Sequence, residues 1–333
     1  MSLGEFDLIA QYFNTQKQLP ENGVVIDIGD DCAILDIPEG YQLAVSTDTL
    51  VSGVHFFADV DPYRLGYKAL AVNLSDLAAM GATPKWASLA ITLPDINEKW
   101  VAAFSRGFFD LAKQFNVSLV GGDTTKGPLA ITVSVKGLIP RGLALLRSQA
   151  QVHDLVCVSG YLGDGGLGLQ CKLQHVTPAN NTYFIDALEL TQPRIDLGIQ
   201  LRGLASSCMD ISDGLTQDLI HILKASQCVA DIDVDKLPLS AGMLEEIELA
   251  NITQKQALQL ALTGGDDYEL LFTIGSDQLA QLRRLTKDKI TVIGKITHRA
   301  HDRATDPLIQ LFYNQQSVSF SQQGWDHFHQ GNI

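Results

Sequence analysis

Four oxygen-bearing side chains in a row, Ser46-Thr47-Asp48-Thr49, lie in a run from Tyr41 to His55 that contains no Lys or Arg. Donor sets made only of oxygen suit a hard cation such as Mg²⁺, which is commonly held by one or two carboxylates together with substrate phosphates. The device recurs along the chain: Asp30-Asp31, Asp76, Asp123, Asp210 with Asp213, and Asp266-Asp267 each sit beside an apolar segment, next to Gly, Ser or Asn. Taken singly, Asp30, Asp213 and Asp267 fit a turn or helix-cap role better than a ligand role, because Asp is common at both. Asp76 is different, since it falls inside an apolar helical stretch. An unpaired carboxylate buried there would cost several kcal/mol. A bound divalent ion would resolve that cost, and so would a neighbouring Arg or Lys.

Other patterns are weaker. Gly163-Asp164-Gly165-Gly166-Leu167-Gly168 matches G-x-G-x-x-G after a strand, but dinucleotide binding needs a second strand ending in an acid about 20 residues on. Residues 166 to 190 read instead as helix with a break at Pro178–Asn181, so a tight strand-to-helix turn is the better reading. No G-x-x-x-x-G-K-[ST] is present. Gly121-Gly122-Asp123 could bring backbone amides up to a phosphate, or could be an ordinary turn. His55 alone reads as a surface histidine, and Lys68 and Arg147 as phosphate contacts or solvated side chains. H-E-x-x-H, C-x-x-C and G-x-S-x-G are absent, which leaves zinc and serine-hydrolase chemistry without support.

These residues need a scaffold, and 333 residues predict two domains, with a polar boundary segment at Arg147–Asp154. The content, 46% hydrophobic and 19% charged, is that of a globular protein, and a net charge of −14 argues against a nucleic-acid binder. No uncharged apolar stretch reaches the roughly 18 residues of a membrane span, and the N-terminus lacks the basic segment of a signal peptide. The five cysteines read as buried free thiols of a reducing, cytoplasmic compartment. Periodicity predicts a strand through Leu43 and Val45, both buried, then a helix from Pro62 to Met80 capped by Asp61 and stopped by Gly81. Strands follow at 86–93 and 117–120, a helix at 98–115, and a half-buried strand at 130–138. A second cycle predicts strands at 155–160, 207–211, 229–234, 268–274 and 291–296, interleaved with helices at 166–173, 183–190, 194–204, 215–225, 241–249, 255–262 and 276–285. Mixed elements in both halves indicate an α/β or α+β fold. The tail Gly324-Trp325-Asp326-His327-Phe328 carries aromatics that predict docking.

The runs GEFDLIAQYF, IGDDCA, STDTLVSGVHF, YKALAVNLSDLAAMGA, GGDTTKG, MDISDGL and GGDDYELLF, in this order, resemble the thiamine-monophosphate kinases. That family sits in the superfamily of aminoimidazole ribonucleotide synthetase and selenophosphate synthetase. The likeness covers essentially the whole chain; STDTLVSGVHF and GWDHF point to the thiamine branch. Selenophosphate synthetase is disfavoured, because its Gly-rich nucleophile segment is missing and Cys32 lies in IGDDCA.

The resemblance implies a two-domain aminoimidazole-ribonucleotide-synthetase-like fold. Residues 1–148 would form an N-terminal domain for dimerisation, metal and ATP, pairing with its twin in a homodimer. Residues 149–333 would form a C-terminal α/β domain completing the substrate site. The implied reaction is ATP plus thiamine monophosphate to ADP plus thiamine diphosphate, by direct transfer of the γ-phosphoryl group with several Mg²⁺ ions. Metal ligands fall by resemblance on Asp31, Ser46, Thr47, Asp48, Asp76, Asp123, Asp210 and Asp213. ATP contacts fall on Gly122, Asp123, Arg147 and Ser212, and substrate contacts on His55, Asp266 and Trp325. The family usually has Glu where this chain has Asp266, one methylene shorter. Two polyanions meeting at an acidic site need cations between them, whereas the ionised phosphate acceptor needs no strong base and no covalent enzyme intermediate. Two rivals of other classes are a metal-dependent phosphatase and a non-catalytic ion-binding module.

Overall fold

Ile131, Val133 and Val135 alternate with Thr132, Ser134 and Lys136, and a strand's period of two sends the two sets to opposite faces. In the computed structural model, which describes residues 5–14, 22–298, 307–320 and 324, this strand is β6 (Ala130–Pro140), at the middle of a sheet. The chain divides into two units, Met1–Leu77 with Ala82–Ala144, and Ala78–Gly81 with Leu145–Ile333.

In the first unit, α1 (Glu5–Leu8) and a π-helical turn (Ile9–Phe13) precede a two-stranded ribbon of β1 (Val24–Ile26) and β2 (Ile34–Leu35). The main sheet has the order β3 (Tyr41–Val51), β6, β4 (Thr83–Leu93), β5 (Ser118–Lys126). β3 and β4 run antiparallel to β6, and β5 runs parallel to β4. Between β3 and β4 lies α2 (Pro62–Ala79), and between β4 and β5 lies α3 (Glu98–Gln114). The start of α2 is as expected: Asp61 Oδ1 accepts from the amides of Tyr63 and Arg64 at 2.9 and 3.2 Å, and Gly81, at φ +66°, ends the helix. The helix is buried along most of its length.

Three expectations are corrected in this unit. Leu43 and Val45 are exposed, at 41% and 58%, because β3 is an edge strand whose alternate residues face away from the helices. Gly121-Gly122-Asp123 is not a turn. β5 runs on to Lys126 because its pairing with β4 continues to Leu93, and a Cβ at Gly122 would stand 1.8 Å from the Leu89 carbonyl oxygen. Cys32 is exposed, whereas Cys157, Cys171, Cys208 and Cys228 are buried.

The second unit carries a seven-stranded sheet, β13-β12-β9-β11-β7-β10-β8. Its strands are β7 (Leu155–Ser159), β8 (Ala205–Asp210), β9 (Val229–Asp233), β10 (Leu270–Ile274), β11 (Ile290–Thr297), β12 (Ile309–Tyr313) and β13 (Gln316–Val318). Only the β12–β9 pair is parallel. α7 (Leu215–Ser226) and α9 (Gln254–Thr263) pack Leu219, Ile222, Leu258 and Leu262 onto Val156, Val158 and Ile293. α4 (Asp164–Lys172), α5 (Asn181–Glu189) and α8 (Ala241–Glu248) close a smaller cluster around Phe184. α6 (Ile195–Leu201) and α10 (Ser276–Leu285) complete the set. The β12–β13 hairpin was not foreseen; Asn314 and Gln315 make its two-residue turn with φ of +48° and +65°.

Gly66 and Gly107 lie where α2 crosses α3. A Cβ at Gly107 would stand 1.9 Å from the Tyr63 carbonyl oxygen, and one at Gly66 2.0 Å from that of Phe104. Gly107→Ala therefore forces the helices apart and should cost roughly 1–3 kcal/mol. Thermal unfolding should show a clear drop in midpoint, and an unchanged midpoint would contradict this close approach.

Candidate metal and substrate site

Cross-strand pairing decides which oxygens meet. Ile131, Val133 and Val135 are fully buried on the helix side of the sheet and pair with Leu50, Asp48 and Ser46. Ser46 and Asp48 therefore face α2, two residues apart on one side. α2 meets them with Asn73 and Asp76, three apart on its own surface. The Ser46 hydroxyl donates to Asp76 Oδ2 at 2.5 Å, and the Asp48 amide donates to Asn73 Oδ1 at 3.1 Å. Asn73 is itself held by the Ala69 carbonyl. Burial, and then the neighbouring Asp76 carboxylate, push Asp48 up from 3.8 to about 6. Two apposed carboxylates and a hydroxyl thus fit a cation that takes one or two carboxylates and completes its shell from water and phosphate. Among the described residues, no group of three or more His, Cys, Asp or Glu could hold a metal ion by itself.

The other expected ligands of this unit lie elsewhere. Thr47 pairs with Ser134 and Asp123 with Ala90, so both side chains project from the sheet's open face. Asp123 is exposed there, on the strand at the far edge, three strand spacings or about 14 Å from β3. Gly122 adjoins it. Asp31 stands in the exposed turn after β1, where its amide donates to Asp30 Oδ1. His55 follows β3 and accepts the Val51 amide on Nδ1 at 3.0 Å, which puts its proton on Nε2. Lys68 is buried inside α2, which removes the solvated reading.

In the second unit, three motifs separated by about 50 residues come together at one end of the sheet. Leu270 pairs with Asp210 and Leu271 with both Met209 and Val158. The turn after β8 then meets the turn before β10: the Asp266 amide donates to the Ser212 carbonyl at 2.9 Å, and the Tyr268 amide to that of Ile211 at 2.8 Å. Asp210, Ser212, Asp213 and Asp266 are thereby gathered. Gly324, from the tail, joins them, since a Cβ there would stand 2.3 Å from the Asp213 carbonyl oxygen. Trp325, the next residue, lies outside the described residues. Arg147 is exposed, and it and Lys224 lower the pKa of His221 after burial does, against Asp213, which raises it.

Of the side chains that hold these turns, sequence reasoning missed Asp218 and Glu269, and it read Asp267 as a turn or cap residue without its partner. Asp218, four residues into MDISDGL's helix and 1% exposed, accepts the amides of Ser212, Asp213 and Gly214 on one oxygen, at 3.1, 3.2 and 3.2 Å. Burial, then Asp213 and Asp210, push it up to about 8. The D-G-x-x-x-D spacing was its signal. Asp267 accepts the Gly163 amide at 3.0 and 2.9 Å, and that of Gly165 at 3.4 Å. Its carboxylate fills the N-terminus of α4, where a pyrophosphate would have to bind, and this explains why the glycine pattern is a turn. Glu269 takes the Ser159 hydroxyl and both Nε and Nη2 of Arg194. Only a 75-residue separation could have linked that last pair, and sequence carries no local sign of it.

Residues 29–139 match the family model for AIR synthase related protein, N-terminal domain, and residues 151–307 match its C-terminal domain. A thiamine-monophosphate kinase of Haemophilus influenzae is 45% identical over 98% of this chain and 99% of that protein. One from Escherichia coli K12 is 50% identical over 82% and 83%. Among solved structures, thiamine-monophosphate kinase from Stenotrophomonas maltophilia superposes with a TM-score of 0.80 at 39% identity, covering 90% of this chain and 93% of that one. AaThiL complexed with AMPPCP and TMP gives 0.75 at 31% identity, covering 98% and 99%.

Asp48 supplies a test of the carboxylate pair. Its folded pKa, about 6, lies above its ordinary 3.8, so between those values the folded metal-free protein keeps a proton that the unfolded chain has lost. Stability falls as pH rises through that window. Asp48→Asn, measured with chelator present, should match the parent's unfolding midpoint near pH 4 and exceed it by a few degrees at pH 7. An offset equal at both pH values would contradict the shared proton.

Proposed function

The chain belongs to the thiamine-monophosphate kinases within the AIR synthase related proteins, and from that premise we infer its reaction and assign its residues. It phosphorylates thiamine monophosphate to thiamine diphosphate with ATP as co-substrate. Relatedness along nearly its whole length to thiamine-monophosphate kinases carries this reading, and AMPPCP, a non-hydrolysable ATP analogue, together with TMP matches the two substrates.

We propose that Asp31, Ser46, Thr47, Asp48, Asp76 and Asp123 in the first unit, and Asp210 and Asp213 in the second, hold Mg²⁺. Thr47 and Asp123 would serve on the open face of the sheet, Ser46, Asp48 and Asp76 on the helix face. Bound there, Mg²⁺ would neutralise phosphate charge and stabilise what develops on the transferring group. Gly122, Asp123, Arg147 and Ser212 contact ATP. Arg147, exposed beside His221, is suited to a phosphate, and Gly122 leaves the strand bare of a side chain. His55, with Nδ1 occupied by the Val51 amide, offers Nε2–H as a donor to thiamine phosphate. Trp325 offers a face to the cationic thiamine rings, worth about 0.5–2 kcal/mol.

Asp266 replaces the family's Glu, and its backbone is tied: φ is +58° and its amide is bonded to the Ser212 carbonyl. A backbone shift to recover the missing methylene would break that bond, which favours a contact between Asp266 and the thiamine moiety through water. An oxygen of the thiamine phosphate attacks the γ-phosphorus in line. The new P–O bond forms as the bond to the β-phosphate oxygen breaks, and no side chain acts as nucleophile. The domain roles follow the same division, with residues 1–148 carrying dimerisation, most metal ligands and part of the ATP contacts, and 149–333 carrying the thiamine end.

The homodimer is proposed on the exposed edge strand. Tyr41, Leu43 and Val45 on β3, with Val25 and Ile34 on the β1–β2 ribbon and Ile37 just after it, present apolar surface that a second copy would cover. No described helix is long and apolar enough to cross a membrane, and five unpaired cysteines suit the reducing cytoplasm.

The reading is tested by following ADP and thiamine diphosphate together, with Mg²⁺-ATP, with and without thiamine monophosphate. Both products should appear in equal amounts, only with the acceptor, and vanish on chelation. ADP without thiamine diphosphate would instead indicate a phosphatase or a sister synthetase. In the same assay Asp76→Asn should lose on the order of 10²-fold in turnover while unfolding near the parent's temperature; near-normal turnover would remove Asp76 from the metal set.

A further inference from the structure

We propose that Asp218 is a positioning residue for the reaction, acting on the metal through the backbone of the turn that carries Asp213. The inference rests on the reading of Asp213 as a Mg²⁺ ligand. Its own support is geometric. The Ser212-Asp213-Gly214 turn leads into α7, and the first amides of a helix have no partner within it. Gly214 precedes the helix with φ +118° and has no side chain to supply one. Asp218 reaches back from the helix's first turn, and a single oxygen, Oδ2, accepts three consecutive amides.

The consequences pass in two directions. With its amide held by Asp218, Ser212 directs its carbonyl to the Asp266 amide, so the substrate-end turn is registered on the same support. Gly265 and Gly214 allow that approach: a Cβ on Gly265 would stand 2.7 Å from the Ser212 carbonyl oxygen, and one on Gly214 2.8 Å from Thr263 Cα. The turn therefore has packed backbone on one side and the Asp218 carboxylate on the other. The Asp213 side chain, whose Oδ2 accepts from Gln217 Nε2 at 3.3 Å, is left at a fixed height above the sheet end. Groups that orient metal ligands in this way typically change metal affinity by about 10–100-fold when removed.

A buried carboxylate that merely capped a helix would alter stability alone. A positioning carboxylate alters Mg²⁺ affinity even in protein that stays folded. Asp218→Asn keeps the shape and one carbonyl oxygen, and Asp218→Ala removes the acceptor. Both are compared with Asp213→Asn and the parent. Three quantities are read: Mg²⁺ binding from the dependence of the unfolding midpoint on Mg²⁺ concentration, amide hydrogen exchange of residues 212–214 in metal-free protein, and the Mg²⁺ concentration giving half-maximal turnover.

We expect Asp218→Asn to bind Mg²⁺ about tenfold more weakly. Its half-maximal Mg²⁺ should rise in proportion, turnover at saturating Mg²⁺ should stay within a few-fold of the parent, and exchange at 212–214 should quicken. Asp218→Ala should exceed it in each. Unchanged Mg²⁺ affinity in Asp218→Asn, with Asp213→Asn weakened, would overturn the positioning role and leave a helix cap. Unchanged affinity in Asp213→Asn as well would show that Asp213 is no ligand, and the role assigned to Asp218 would fall with that reading.

Discussion

Two carboxylates brought face to face, Asp48 on an edge strand and Asp76 on a buried helix, set the terms for the first unit. Burial first, and then the neighbouring Asp76 carboxylate, push Asp48 up to about 6. The fold does not relieve the repulsion by separating the two. It reinforces the approach with the Ser46 hydroxyl on Asp76 and the Asn73 amide oxygen on the Asp48 backbone. Repelling groups held together in this way mark a candidate cation site, and Mg²⁺ is the cation proposed for it.

The second unit solves a related problem with backbone. Its acidic turns, after β8 and before β10, lean on one another through their backbone and on buried acids behind them. Asp218 collects the amides of one turn and Asp267 those at the head of α4, while Glu269 is paired with Arg194. Acids proposed as ligands and acids that hold the backbone therefore stand within a few residues of each other in sequence. The hydrogen-bond donors taken by Asp218, Asp267 and Glu269 mark the second role, not residue type or burial, since Asp210 and Glu269 are both 5% exposed.

Much of this was legible beforehand. The alternation of β6, the Ala- and Leu-rich α2 between Asp61 and Gly81, and the collected oxygen clusters are local signals, and local physics carries them. The ordered runs from IGDDCA to GGDDYELLF pointed to the family, and STDTLVSGVHF with GWDHF to its thiamine branch. What sequence withheld was mostly non-local. Whether Thr47 or its neighbours face the helices depends on the register of β3 against β6. The extension of β5 through two glycines depends on β4 holding its partner. Asp267 caps a helix more than 100 residues earlier in the chain, and nothing in its own neighbourhood announces that. The β12–β13 hairpin was overlooked because its turn is Asn-Gln, where Gly at the second position would have been the stronger sign.

The central proposal, that the Asp48–Asp76 pair holds Mg²⁺ and keeps a proton in the cation's place without it, is tested most directly by calorimetry. Mg²⁺ is titrated into metal-free protein at pH 6 and at pH 8, in buffers of different ionisation heat, and the protons released per binding event are counted. The account predicts that Asp48→Asn releases fewer protons than the parent at pH 6 and that the two converge at pH 8. Binding at pH 6 without proton release, or release unchanged in Asp48→Asn, would contradict it.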